Sequence, residues 1–155
     1  MIRTIAPAPI RKILEVRATR EKAFRVFTEG FDRWWPKSHT IGAAALARAV
    51  IEPKAGGRWY GVDVNGDEED WGDVLVWEPP ERLLLAWRIN AQFRFDPAVL
   101  TEVEVVFTDL GEGLTRVAFE HRHLERLGEG ADKAAESLRN GWAPILETFK
   151  SVAES

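Results

Sequence analysis

The side chains best suited to acid–base chemistry in this sequence are two histidines near the end of a segment of alternating polarity. His121 has the same parity as Val117 and Phe119, which predicts that its ring points inward. Because histidine titrates near neutral pH, an inward His121 could act as a general acid or base or bind the polar head of a ligand. The alternative is a strand-end histidine that is hydrogen-bonded to backbone or solvent. His123 shares its face, but no third ligand completes a metal site.

Two further polar residues, Arg88 and Asp73, are candidates for a catalytic role beside His121. The acidic run over residues 67–70 lacks the ligand spacing of a calcium loop, so we interpret it as a solvated hairpin tip. The sequence has no glycine-rich phosphate loop, no Ser-His-Asp order and no HExxH motif. We therefore expect neither a metal nor a cofactor.

Tryptophan is unusually frequent, with seven residues against one tyrosine and one methionine. Its large amphipathic ring suits the lining of a cavity or an interface. The aromatic residues that we expect to line a ligand cavity are Trp35, Trp59, Trp87, Phe93, Phe95, Phe107, Phe119, Trp142 and Phe149. Trp35, Phe93 and Phe95 are expected near an opening. For the phenylalanines the reason is that a polar connector seldom has two of them without a pocket or partner to cover them. The alternative is that these rings fill a solid core.

The composition is that of an ordinary soluble domain: 45% of the 155 residues are apolar and 30% are charged. A net charge of −4 argues against a nucleic-acid-binding surface, and no apolar run is long enough to span a membrane. The first residues lack the apolar stretch of a secretory signal, and no cysteine is present to form disulfides. We expect a single cytoplasmic domain over residues 1–155, compatible with a homodimer.

Hydrophobic periodicity predicts one strand, two short helices, six more strands and a long final helix. The strands are expected over residues 10–18, 47–53, 58–64, 70–78, 82–90, 100–109 and 114–123. Thr19 is expected to cap the first short helix and Gly30 to end it, and the second is expected over residues 31–35. The last two strands each have one apolar and one largely polar face, which is typical of an antiparallel sheet exposed to solvent on one side.

The final helix, expected over residues 131–155, is the element around which the other predicted elements are arranged. Its apolar side chains recur at steps of three and four residues and form one stripe, which needs a sheet to cover it. The stripe consists of Leu138, Trp142, Ile145, Leu146, Phe149 and Val152. Pro144 inside this helix predicts a bend next to Gly141, either to follow the sheet or to open a cavity.

Several short motifs resemble one known family in the same order along most of the chain. They are the segments at residues 24–27 and 34–36 (FRVF and WWP), 56–59 (GGRW), 71–83 (WGDVLVWEPPERL) and Gly141-Trp142 followed by Leu146. The sequence resembles the activator of Hsp90 ATPase homologue-1-like family of the Bet v 1-like (START-related, SRPBCC) superfamily. This resemblance implies an α+β helix-grip fold, in which a curved antiparallel sheet of about seven strands wraps a long C-terminal helix around an apolar cavity.

Three functions are compatible with this resemblance. The first is binding of a small apolar, aromatic or lipid-like molecule in an internal hydrophobic cavity. The second is an enzyme of the cyclase or hydratase kind that needs no cofactor and uses polar groups such as His121, Arg88 or Asp73. The third is a co-chaperone of an Hsp90-type ATPase. The third is less expected, because the eukaryotic activator uses a separate N-terminal domain for which this chain has no room.

Overall fold

A computed structural model of the protein describes residues 7–155. Residues 1–6, part of the segment considered for a secretory signal, lie outside the described residues. The strands are β1 (Ile10–Val16), β2 (Leu46–Ile51), β3 (Arg58–Asp63), β4 (Glu68–Glu78), β5 (Arg82–Trp87), β6 (Thr101–Gly111) and β7 (Leu114–Arg122). The helices are α1 (Arg20–Phe27), α2 (Phe31–Trp34) and α3 (Ala131–Ala153), and a 3-10 helix (Leu124–Leu127) precedes α3.

Within residues 7–155 the seven strands form an antiparallel sheet in the order β1-β7-β6-β5-β4-β3-β2. The sheet curls around α3, and the two short helices lie between β1 and β2 in the sequence. The predicted α+β helix-grip fold is confirmed. None of the helices in this part of the chain is long and apolar enough to cross a membrane.

One face of the sheet is apolar and faces α3, because β6 and β7 alternate in polarity. Val103 and Val105 are fully buried, while Glu102 and Glu104 next to them lie on the opposite face. His121 of β7 is the register partner of Val103, so its side chain also points to the buried face. The alternation predicted for both strands is confirmed.

The helix α3 covers this apolar face with the stripe that its periodicity predicts. Leu138, Trp142 and Phe149 are buried, whereas Arg139 on the other side is exposed. The helix ends at Ala153, and the exposed Pro144 does not interrupt it.

The two short helices close one end of the sheet. The side-chain oxygen of Thr19 accepts a hydrogen bond from the backbone N–H of Lys22 over 3.2 Å, as predicted for an N-cap. The rings of Phe27 and Trp34 pack against Phe149 of α3, with centroid distances of 5.1 and 5.4 Å. α2 ends one residue before its predicted end, since Trp35 precedes a proline and has an extended backbone.

Each strand has at least one boundary that differs from the prediction by one to three residues, and two of these differences lie near the ends of β4 and β5. β5 ends at Trp87 rather than at residue 90, because the next residues form a separate small hairpin in which Ile89 pairs with Phe95. β4 begins at Glu68, so most of the acidic run belongs to the sheet. The interpretation of this run as a solvated hairpin tip is therefore wrong in part.

Candidate functional site

A pocket of about 230 Å³ lies between α3, the end of β5 and the segment that follows α2. Its lining residues are Trp35, His39, Thr40, Ile41, Trp71, Trp87, Ile89, Phe93, Ser137, Leu138, Gly141, Trp142 and Ile145. His39 and Phe93 are exposed, so the pocket opens to solvent where they lie. These lining residues include no Asp, Glu, Lys or Arg, and their polar side chains are His39, Thr40 and Ser137. The pocket is thus an apolar site with a few polar groups.

The helix α3 contributes one continuous stripe to the pocket. Ser137, Gly141 and Ile145 are four residues apart, so they lie above one another on one face of the helix. Apart from the backbone of α3 itself and the two neighbouring residues, a Cβ atom placed on Gly141 would meet no atom of the described residues within 4 Å. The missing side chain of Gly141 therefore adds to the open volume between Trp142 and the rest of the lining.

Four tryptophans surround the pocket and contact one another. The ring centroid of Trp35 lies 5.5 Å from that of Trp71 and 5.7 Å from that of Trp142. Trp87 lies 5.8 Å from Trp142 on the next wall. Tilted and edge-on pairs at these distances stabilise one another by about 0.5–1.5 kcal/mol each. The walls are therefore held by ring–ring contacts and offer several aromatic surfaces to a ligand.

The indole of Trp142 is held by a buried chain of hydrogen bonds that passes through His121. The Nε1–H of Trp142 donates to Nδ1 of His121 over 3.2 Å, which requires Nδ1 to be unprotonated. Nε2 of His121 therefore has the proton and donates to Oγ1 of Thr101 over 2.8 Å. The hydroxyl of Thr101 donates in turn to the carbonyl oxygen of Trp87 over 3.3 Å. This chain links two of the tryptophans that line the pocket.

The protonation of His121 follows from its burial. The residue is 0% exposed, and burial lowers its pKa from 6.5 to about 3, so the ring is neutral at pH 7. His121 is not a lining residue, and its ring instead contacts Trp87 and Trp142 with centroid distances of 5.2 and 6.2 Å. This arrangement suits the orientation of Trp142 better than proton exchange with a ligand.

A single carboxylate attaches the segment after α2 to the pocket. Glu69 accepts hydrogen bonds from the Thr40 hydroxyl at 2.7 Å and from the Ile41 backbone N–H at 3.2 Å. It also accepts from Nε1 of Trp71 at 3.0 Å. Because Thr40, Ile41 and Trp71 all line the pocket, Glu69 fixes three of its walls from behind.

The structure brings four of the nine predicted ligand-binding aromatics to the pocket and places the others elsewhere. The four that line it are Trp35, Trp87, Phe93 and Trp142. Trp59, Phe107, Phe119 and Phe149 are buried in the core beside it, which is the alternative that the sequence left open. Phe95 is 39% exposed and belongs to the same hairpin as Ile89 and Phe93 but does not line the pocket.

The structure also separates Arg88 and Asp73 from the pocket. Nε of Arg88 donates to Oδ1 of Asp73 over 2.6 Å, and its Nη1 donates to the carbonyl oxygen of Pro97 over 3.0 Å. Arg88 lies between Trp87 and Ile89, both of which point into the pocket, so its side chain projects from the opposite face. As catalytic groups that act on a molecule in the pocket, Arg88 and Asp73 do not fit this geometry.

Sequence reasoning missed several lining residues. Trp71, His39 and Thr40 were not predicted to line the pocket, although Trp71 belongs to the segment at residues 71–83 that resembles the family. A usable signal existed on α3, where the small residues Ser137 and Gly141 lie on the same face as Ile145. Small residues on an otherwise apolar helix face indicate open space beside the helix.

The curled antiparallel sheet around one long helix places the protein in the helix-grip class. The chain belongs to the family described as activator of Hsp90 ATPase homolog 1-like protein, whose model matches residues 17–154. The predicted family is therefore confirmed. No curated protein matches the chain significantly.

The solved structures that are similar to this chain include two that are more than a third identical to it. An anthrahydroquino-γ-pyrone synthase, Txn09, is 38% identical, with 95% of this chain and 97% of that chain covered and a TM-score of 0.68. CalC, a self-sacrificing resistance protein from Micromonospora echinospora, is 36% identical, with 94% and 93% covered and a TM-score of 0.68. The Aha1 dimer from Colwellia psychrerythraea is 20% identical, with 96% and 97% covered and a TM-score of 0.64, and so shares the fold.

Proposed function

We propose that the protein binds a small, planar, uncharged aromatic molecule in the pocket beside α3. The observation that supports this best is the set of four tryptophans around one open space: Trp35, Trp71, Trp87 and Trp142. Flat rings present π surfaces on which another flat ring can stack, at a gain beyond simple burial. The missing side chain at Gly141 leaves room for such a ring against α3.

The polar groups of the pocket restrict the ligand further. Because none of the described residues that line the pocket is an Asp, Glu, Lys or Arg, a charged ligand would lose hydration without gaining an ion pair with them. The His39 ring and the hydroxyls of Thr40 and Ser137 can instead hydrogen-bond a hydroxyl or carbonyl group. The volume of about 230 Å³ is below the usual range of roughly 300–1,000 Å³ for ligand sites, which favours a compact ligand.

The comparisons support this class of ligand. The name of Txn09, which is 38% identical over 95% of this chain, describes a synthase of a fused aromatic product. CalC, at 36% identity, is described as a resistance protein. A pocket for a polycyclic aromatic molecule is consistent with a synthase such as Txn09. It would also suit a resistance protein such as CalC if that protein intercepts a molecule of this kind.

Titration of the protein with quinizarin, a neutral dihydroxyanthraquinone, tests the proposal. The tryptophans at the pocket should be quenched on binding, and calorimetry should give a saturable one-site isotherm. Gly141→Leu should abolish binding by filling the pocket, whereas Asn140→Leu, on the exposed side of α3, should leave it unchanged. Tighter binding of lauric acid than of quinizarin would point to a lipid-like ligand, and binding of neither would contradict the proposal.

A second candidate function is catalysis on the bound molecule, favoured by the 38% identity with a synthase over 95% of this chain. The side chains able to touch a substrate are His39, Thr40 and Ser137, whereas His121 would act only through Trp142. Incubation with hydroxylated anthraquinone precursors followed by mass spectrometry tests for a product. If product forms, its loss in His39→Ala with retention in Asp73→Ala would assign the chemistry to the pocket.

The remaining partner and location predictions stay proposals. A homodimer is supported by the dimeric Aha1 relative and is tested by light scattering during size-exclusion chromatography. A chaperone partner is supported by relatives that are 20% identical or less, and stimulation of an Hsp90-type ATPase would test it. Cytoplasmic residence rests on the absence of cysteine and is tested by cell fractionation.

A further inference from the structure

The connection from β5 to β6 displays a phenylalanine at the pocket in a backbone conformation that phenylalanine rarely adopts. Phe93 has a φ of +58°, in the left-handed region that is normally occupied by glycine, asparagine or aspartate. A bulky side chain there meets steric strain between its Cβ and the following backbone. Glycine would remove that strain, so this position is not optimised for backbone stability.

The strained conformation is imposed by Asn90, which fixes the turn through three of its own groups. Its Oδ1 accepts from the backbone N–H of Gln92 and of Arg94, each over 3.0 Å. Its carbonyl oxygen accepts from Phe93 N–H over 2.9 Å, and its own N–H donates to the carbonyl oxygen of Arg94 over 2.8 Å. Gln92 and Ala91 lie against Gly130 at the start of α3. The turn is therefore fixed by the hydrogen bonds of Asn90 and by packing against the start of α3.

Burial in the core does not explain why a phenylalanine occupies this turn. Phe93 is 41% exposed, although it lines the pocket together with Trp87, Ile89 and Trp142. Backbone strain in a residue whose ring is left partly in water is typical of a ligand-binding position. The ring stands at the opening, where a molecule entering the pocket would cover its exposed surface.

We propose that Phe93 is the closing residue of the pocket, held in a left-handed turn by Asn90 so that its ring covers a bound planar aromatic molecule. This inference rests on the proposed function and adds the residue that seals the site. Phe93 as a whole residue is 41% exposed, so a ligand that covers its exposed surface removes at most roughly 80 Å² from water. Loss of that contact corresponds to a weakening of about 30-fold in affinity.

Phe95 provides a matched control in the same hairpin. It is 39% exposed, almost the same fraction as Phe93, but it does not line the pocket. It pairs with Ile89 through a strand-like bridge and has no positive φ. Substitutions at Phe93 and Phe95 therefore remove similar surfaces from neighbouring positions, and only those at Phe93 remove a pocket wall.

The experiment compares the variants Phe93→Ala, Phe93→Gly, Phe95→Ala and Phe95→Gly with the wild-type chain. Quinizarin affinity is measured by tryptophan quenching, and stability without ligand is measured by urea unfolding. Both Phe93 variants should bind about 30-fold more weakly, and both Phe95 variants should bind within about twofold of wild type. Phe93→Gly should unfold at higher urea than Phe93→Ala, because glycine tolerates positive φ, and this order should reverse at Phe95.

The results that would contradict the closing role of Phe93 differ from the result that would contradict the proposed function. Wild-type affinity in Phe93→Gly, with quinizarin still bound in the pocket, would overturn the closing role and leave the proposed function intact. A higher urea midpoint for Phe93→Ala than for Phe93→Gly would show that the backbone at Phe93 is not strained. That result would also overturn the closing role of Phe93. Absence of quinizarin binding to the wild-type chain would contradict the proposed function and this role together.

Discussion

Acidification should destabilise this protein through His121, because the folded state holds that ring neutral. Burial lowers the pKa of His121 from 6.5 to about 3, whereas the unfolded chain restores its ordinary value. Between these two values the unfolded state binds a proton that the folded state does not. The contribution of His121 is therefore present above pH 6.5 and is lost as the pH falls towards 3.

The size of the effect follows from the shift in pKa. Each pKa unit corresponds to 1.36 kcal/mol, so the folded state should lose roughly 2–3 kcal/mol between pH 7 and pH 4.5 from this residue alone. The hydrogen-bond partners of His121 are Trp142 and Thr101, which do not titrate in that interval. Other groups also contribute to the acid dependence of stability, so a variant that lacks only this histidine is needed for comparison.

The assay is urea unfolding at a series of pH values, monitored by tryptophan fluorescence, for wild type and His121→Gln. The variant should be less stable at pH 7, since Trp142 or Thr101 loses a partner, but its stability should fall less steeply with acid. Parallel curves for wild type and His121→Gln would refute the assignment of a neutral, buried His121.

Three further predictions concern the walls of the pocket. Gly141→Ala should stabilise the fold by about 1 kcal/mol in urea unfolding, because it removes a helical glycine where a Cβ meets no atom within 4 Å; a loss of stability would contradict the open space assigned there. Glu69→Ala should cost about 1–3 kcal/mol and speed amide hydrogen exchange at Ile41, because it removes the acceptor to which the Ile41 N–H donates; unchanged exchange would contradict the attachment. Trp142→Phe should cost about 1–3 kcal/mol by leaving Nδ1 of His121 without a donor; unchanged urea unfolding would contradict the hydrogen-bond chain.

Most of the fold could be predicted because two regular periods are present in the sequence. In β6 and β7 strict alternation from Val103 to Phe107 and from Val117 to His121 gives the buried face without error. In α3 the helical period identifies five of the buried side chains, but Val152 is only partly buried and the buried alanines of the helix were not predicted. The 3-10 helix (Leu124–Leu127) was missed because four residues are too few to show a period.

The pocket was harder to predict because irregular segments build much of it. β3 and β4 have a register shift at Trp59/Tyr60, which breaks the alternation that would have shown Trp71 pointing inward. His39, Thr40 and Ile41 come from a segment without regular structure, so no period orients them. Whether a ring lines the pocket or fills the core depends on the distance between elements, and a pattern of residues along the chain does not contain that distance.

The assignment of the binding site is tested most directly by the indole N–H signals in a ¹H–¹⁵N NMR spectrum recorded with and without quinizarin. Four tryptophans line the pocket, and Trp34 and Trp77 lie outside it. Binding as proposed should shift the signals of Trp35, Trp71, Trp87 and Trp142 and leave those of Trp34 and Trp77 in place. Shifts confined to Trp34 and Trp77, or an unchanged spectrum at saturating quinizarin, would contradict the assignment of this pocket as the binding site.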